Sequence, residues 1–413
     1  MSDGASYREI VRNGNFIRFW LANITSDMGY GLFELAIVWL ALSTTGSPLF
    51  AGTVLFVEFA TYSLTFVVGP VIDASADKKK FVTWLFPVQA ILAILLTFAV
   101  LTHVVSVPLI LLVVFLMALL WDFPWLAYSV ILPLIIRREQ LLRANSLMMA
   151  VGGGSGVLIN AMGGVALAVV GVGGASAIYA TSFLLATVLM LSVSVPGVEV
   201  SGVRSSGTAS KLVEGWRELV SGERRDLRAF FYLSGVQGFF SIAPFLLIAV
   251  ISAFYIGGGN GALNFGLFNA ALFAGGFTGN FIYGRINPSG RLGISLMIAT
   301  LLEGVLLSMS PLVLGSLPAL YALWFFVGSV DPLFYTGYSA FIQATVETGM
   351  LGRMKGNIYL FRGIGRGTGN VVLGGIIAVA GYTAGSLAFG IALILIAVFA
   401  LVTSPSIRNA GYH

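Results

Sequence analysis

The sequence contains no cysteine, which excludes a disulfide framework, a thiolate zinc site and an iron–sulfur cluster. Its two histidines, His103 and His413, exclude a histidine relay and a His-rich metal site. Charge is equally scarce. Only 9% of the 413 residues are Asp, Glu, Lys or Arg, against about 25% in a soluble domain. None of the five lysines follows a glycine, which rules out a G-x-x-x-x-G-K phosphate loop. No nucleophile–base pair or metal-ligand cluster is visible, so neither an enzyme nor a cofactor is expected. Hydrocarbon takes up the difference: 58% of residues are hydrophobic and the mean hydropathy is +0.96.

That hydrocarbon falls into twelve stretches, roughly 16–43, 48–72, 80–102, 107–136, 144–170, 174–195, 229–256, 261–284, 290–311, 317–343, 357–381 and 383–403. Each is long enough to cross about 30 Å of bilayer as a helix. A transmembrane barrel needs alternating polarity, and runs such as 109–120 are continuously apolar. The first stretch carries two acids and no small-residue cleavage site, so it is not a cleaved signal. The expected class is an all-α integral membrane protein of twelve spans.

All 22 Lys and Arg residues fall in the N-terminal tail, the even-to-odd connections, the helix ends beside them, or the C-terminal tail. Cytoplasmic loops carry such an excess, which places both termini in the cytoplasm. The net charge of +5 is accounted for by this topology, and no nucleic-acid partner is expected. Residues 196–228 form the only long polar stretch. They divide an N-terminal six-helix bundle (1–195) from a C-terminal one (229–413). Within this linker, Lys211-Leu-Val-Glu-Gly-Trp-Arg-Glu-Leu219 reads as an amphipathic helix on the cytoplasmic face.

The halves echo each other. Arg143-Ala-Asn145 precedes a glycine-rich span 5 and Lys355-Gly-Asn357 a glycine-rich span 11. Asp122, Pro124 and Tyr128 in span 4 match Asp331, Pro332 and Tyr338 in span 10. A repeated six-helix half suits a transporter whose halves rock. Gly152, Gly156, Gly363 and Gly367 are candidates for a sliding interface, since glycine lets helix backbones approach closely.

With these residues in view, the chain resembles a major facilitator superfamily transporter, closest to prokaryotic enterobactin- and macrolide-efflux-like exporters. Asn15-Phe-Ile-Arg-Phe-Trp20, Leu42-Ser-Thr-Thr-Gly46-Ser47-Pro48, Arg143-Ala-Asn-Ser-Leu147, Gly215-Trp-Arg-Glu-Leu219 and Gly352-Arg-Met354 carry the resemblance, in order and spacing. It implies two pseudo-symmetric bundles, a multi-pass protein of the prokaryotic plasma membrane, a monomer, and a cavity lined by spans 1, 4, 7 and 10. The loop after span 2 resembles the superfamily's latch through Gly69, Asp73, Lys78, Lys79 and Lys80. It has Ile72 and Ala74 where a glycine and a basic residue are the rule. The Arg that superfamily drug–proton antiporters often carry in span 4 is absent, as is their Gly-Pro pattern in span 5.

Chemistry is expected from acids in the membrane. Asp27, Glu34, Glu58, Asp122, Glu303 and Asp331 lie near the middle of their spans. A charge facing lipid there costs about 2.5–3.5 kcal/mol, so each acid must meet water, a partner or a proton. Arg362 and Arg366 read as near the cytoplasmic end of span 11, so ion pairing is not expected to satisfy most of these acids. Asp27 and Glu34, seven residues apart, share one helix face. Asp27, Glu34, Glu58, Asp122 and Asp331 are the candidate proton-coupling and cavity acids. Glu303 reads as a neutral, hydrogen-bonded acid of the outer ring. Tyr30, Trp121, Trp125, Tyr128, Gln237, Tyr335 and Tyr338 are candidate cavity residues, since acids among aromatics suit an apolar cation.

The expected activity is alternating-access export of a lipophilic, cationic or zwitterionic small molecule against protons or sodium. Alternatives are a siderophore or divalent-metal exporter, or a transporter-like sensor or lipid scramblase.

Overall fold

The computed structural model describes residues 7–62, 64, 78–137, 140–195, 216–217, 219–220, 225–256, 259–286, 291–346 and 348–409. It is all-helical. In chain order the helices are α1 (Tyr7–Arg12), α2 (Gly14–Thr45), α3 (Pro48–Tyr62), α4 (Lys78–Leu101), α5 (Val107–Ile135), α6 (Leu141–Leu191), α7 (Arg225–Phe240), α8 (Ala243–Phe254), α9 (Gly261–Ile286), α10 (Leu292–Met309), α11 (Leu317–Thr345), α12 (Thr348–Thr403) and α13 (Pro405–Arg408). Eight stretches are long and apolar enough to cross a membrane, and two shorter apolar helices accompany them. Proline punctuates the starts. α3 begins on Pro48, and α5, α8, α11 and α13 carry proline in their first turn. Its missing N–H is of no consequence there, and its fixed φ suits a helix.

The two longest helices are each a pair of helices joined at one glycine, Gly171 in α6 (φ 65°, ψ −173°) and Gly381 in α12 (φ 85°, ψ 169°). That backbone region is open to glycine alone among the common residues. The chain doubles back at both. Residues 163 and 182 of a straight helix stand about 28 Å apart. Yet a Cβ on Gly163 would meet Leu35, while Gly29 faces Ser182 and Phe183, so both ends of α6 touch one stretch of α2. In α12, Gly385 lies against Leu373 and Ile377 of its own chain. Gly46 and Gly259 supply positive-φ turns after α2 and α8.

The repeat extends past these turns. Five residues after each turn glycine stands a buried serine, Ser176 and Ser386, and eight after it a buried aromatic, Tyr179 and Phe389. Tyr179 donates to Gln89 Oε1 at 2.7 Å. Ser386 sits 2.6 Å from Ser310 Oγ, which Tyr382 also reaches.

The chain divides into two compact units, Met1–Leu40 with Leu64–Ser205, and Ala41–Ser63 with Ser206–His413. The second unit includes α3, which packs along α12. A Cβ on Gly52 would strike the Asn370 carbonyl, one on Gly374 the Pro48 carbonyl, and one on Gly367 the Phe56 ring. Absent side chains are what let these backbones touch. The second unit's core gathers Phe230, Phe231, Phe334, Phe341, Met354 and Ile358. Of the expected linker helix, Leu219 is fully buried in that core, and Trp216 meets Phe231 edge to face at 5.3 Å.

Candidate functional site

α7 and α8 together make one apolar stretch, Asp226–Phe254, long enough to cross a membrane, but the helix is interrupted at residues 241–242. Pro244 has no N–H to bond back to Phe240, so the regular ladder stops there. Two side chains at the interruption meet two arginines of α12. Arg362 Nη2 donates to Gln237 Oε1 at 2.8 Å, and Arg366 Nε donates to Ser241 Oγ at 3.1 Å. Partners on each helix are four residues apart, so both bonds lie along one line of contact. Glycine brings the helices this close. A Cβ on Gly238 would stand 3.0 Å from the Arg362 backbone, and one on Gly369 would strike the Phe239 carbonyl. The carbonyl end of α7 also turns its negative dipole toward the arginines.

Arg362 is only 4% exposed and Gln237 1%. The guanidinium lies over the Tyr335 ring, 5.1 Å from its centroid. Arg362 Nη1 and Gln237 Nε2 are shielded from solvent and have no hydrogen-bond partner among the described residues. Asp331 lies within electrostatic reach of Arg362 and Arg366, and Glu303 within reach of Asp331 and Arg362. Arg366 faces the Phe59 ring at 5.8 Å. Beside Arg362 a small cleft of about 20 Å³ opens between α11 and α12, lined by Tyr335, Tyr338, Ser339, Ile342, Ile358 and Tyr359. Asp331, one helical turn before Tyr335, shares its face and is exposed.

α12 begins at Thr348, nine residues before the start expected for span 11, so Arg362 lies about 21 Å into the helix. There it meets Gln237, near the middle of the Asp226–Phe254 stretch, within electrostatic reach of the acids of α10 and α11. Glu303 is 4% exposed and lies within electrostatic reach of Asp331 and Arg362.

In the first unit, Tyr30 and Trp121 stack at 4.4 Å with ring planes 8° apart. Tyr128 is buried, its hydroxyl 3.2 Å from Ser26 Oγ, and Asp27 is near enough for its charge to act on it. Asp27 and Glu34 are half-buried on α2. Asp122 and Trp125 belong to α5, but their side chains lie outside the described residues. Glu58 is 5% exposed on α3. Tyr338 is buried between Phe230 and Phe334, whereas Tyr335 is 40% exposed.

Gly69 and Asp73 of the expected latch lie outside the described residues, as does the Lys78 side chain. Lys79 Nζ donates to the Leu191 carbonyl at 3.2 Å, and Lys80 is exposed. Gly152 and Gly156 fall within α6, Gly363 is buried in α12, and Gly367 packs on Phe56. Among the described residues there is no group of three or more His, Asp or Glu placed to hold a metal ion.

Sequence reasoning missed Arg362, Arg366 and Ser241. The available signal was the pair of arginines four residues apart inside a glycine run, together with Pro244 inside an apolar stretch.

No protein-family model matches the chain, and no curated protein matches it in sequence. Solved structures do match in fold. A point variant of the nucleoside transporter NupG aligns with a TM-score of 0.73 at 13% identity, over 94% of this chain and 98% of its own. A POT family transporter in complex with a thioalcohol-conjugated peptide gives 0.73 at 14%, over 95% and 96%. A D-xylose-proton symporter gives 0.70 at 12%, over 98% and 100%. At these identities the likeness is one of fold, and over nearly its whole length the chain has the fold of these transporters.

Proposed function

We propose that the protein is a secondary active transporter of the major facilitator type, working by alternating access and coupled to protons. In this reading it has twelve spans. α6 and α12 each contribute two, and α7 and α8 together make one. Both termini face the cytoplasm of a prokaryotic cell, and the protein sits in the plasma membrane as a monomer. Its cargo is a lipophilic, cationic or zwitterionic small molecule, exported against protons.

One observation carries the reading. An acid, Asp331, lies within electrostatic reach of two arginines that bond into an interruption in the middle of a membrane-length helix. Charges at that depth mark transport pathways, and discontinuous helices mark their binding sites. A proton on Asp331 would cancel its attraction for Arg362, which gives the cluster two electrostatic states. The stacked Tyr30–Trp121 pair near half-buried Asp27 and Glu34 suits an aromatic cation.

The test uses liposomes containing a pH-sensitive dye, an imposed proton gradient and a panel of lipophilic cations and zwitterions, with Glu34→Gln and Asp122→Asn alongside. Substrate-evoked proton flux is the expected result. Absence of flux with every compound sinks proton-coupled export of this cargo class, and metal-evoked flux moves the reading to a divalent-metal exporter.

A further inference from the structure

We propose that the Arg362–Gln237 pair is a subsite for a carboxylate or similarly oxygen-rich anionic group on the cargo. The proposal deepens the transport reading and rests on it. It narrows the cargo to molecules that carry such an oxygen group beside their apolar body.

The argument starts from unmet hydrogen-bonding capacity. The bond from Arg362 Nη2 to Gln237 Oε1 joins two side chains that are at least nine-tenths buried. It leaves one donor on each, Arg362 Nη1 and Gln237 Nε2, without a partner among the described residues. A buried donor left unsatisfied costs about 1–3 kcal/mol, and more when the group is charged. An arrangement that keeps two of them together wants an acceptor.

The chemistry of that acceptor follows from the donors. One is a guanidinium N–H and the other an amide N–H, and the first comes with a full positive charge. Arg366 adds a second positive charge one turn along α12. Asp331 and Glu303 draw on the same guanidinium through space. They oppose a bound anion when ionised and cease to when protonated, which ties occupancy of the subsite to the proposed coupling acids.

Arg362 lines a small cleft of about 20 Å³, whose other walls include the tyrosines Tyr335, Tyr338 and Tyr359, Ser339 and two isoleucines. That is room for about one water-sized group, such as a single oxygen of a carboxylate. Tyr335 covers the guanidinium with its ring and is itself 40% exposed.

The test uses full-length protein in lipid nanodiscs and two probes of one shape, naphthoate and its neutral amide. Binding is read by thermal stabilisation. Wild type is expected to prefer naphthoate by about tenfold or more, the factor that one charge-assisted hydrogen bond supplies. Arg362→Lys, which keeps the charge but loses the planar fork, is expected to reduce the preference to about threefold or less. Gln237→Leu should weaken naphthoate more than the amide. An unliganded thermal unfolding transition like that of wild type in both variants reports an intact fold. Equal affinity for the two probes in wild type, binding of neither, or an undiminished preference in Arg362→Lys overturns the proposal. Proton flux driven by the cation panel survives each of those results if the transport reading alone is right.

Discussion

Asp27 in the first unit lies within electrostatic reach of the Tyr128 hydroxyl, which pairs with Ser26, and the Tyr30–Trp121 stack is one turn along the helix. Asp331 in the second unit has arginines for neighbours, and those arginines are bonded into the interruption between α7 and α8. The surrounding scaffold is the same in both. Each unit turns a long helix back at a positive-φ glycine, with a buried serine five residues later and a buried aromatic eight residues later. The backbone devices have stayed alike while the charges have diverged. A turn of this kind accepts only one residue type, whereas an acid in the membrane can be satisfied by water, hydroxyl, arginine or a proton. The two units therefore share a frame and offer different chemistry. One suits an aromatic or cationic group. The other holds positive charge with donors to spare.

Breaking this contrast should have its largest effect at the arginine cluster. Asp331→Asn is expected to bring substrate-evoked proton flux to background, measured in dye-loaded liposomes. Asp27→Asn should leave the flux coupled. Arg362→Lys comes next. The loss of a buried charge-assisted hydrogen bond, about 1.5–3 kcal/mol, corresponds to a transport rate lower by about 10- to 160-fold. Radiolabelled substrate counterflow checks it. The shared turns come third. Gly171→Ala and Gly381→Ala should each destabilise the protein by about 1–3 kcal/mol, and by similar amounts, in thermal unfolding in detergent. Unequal costs would mean that the two turns are not equivalent. Asp27→Asn is the smallest effect, weakening a lipophilic cation by about fivefold, as loss of about 1 kcal/mol of partly solvated charge attraction requires.

Much of the frame was legible in the chain. The apolar runs anticipate the helices, and the breaks between stretches 144–170 and 174–195 and between 357–381 and 383–403 fall at or beside the two turn glycines. Trp216 and Leu219 of the linker segment pack on the second unit's core. The acids were visible because a carboxylate in an apolar run stands out. Their partners were not. Arg362 sits in a run of glycines that reads as a helix end, and only the packing of α12 on α7 brings it to Gln237. Nor does spacing show that Tyr338 is packed among phenylalanines while Tyr335, three residues earlier, is exposed and stacked on a guanidinium.

The most direct measurement is the current evoked by a substrate jump on proteoliposomes adsorbed to a solid-supported membrane, compared between wild type and Asp331→Asn. Proton-coupled transport through the second unit's cluster predicts a substrate-dependent current in wild type that grows with the proton gradient and vanishes in Asp331→Asn. A full current in Asp331→Asn, with the same dependence on the gradient, would contradict it.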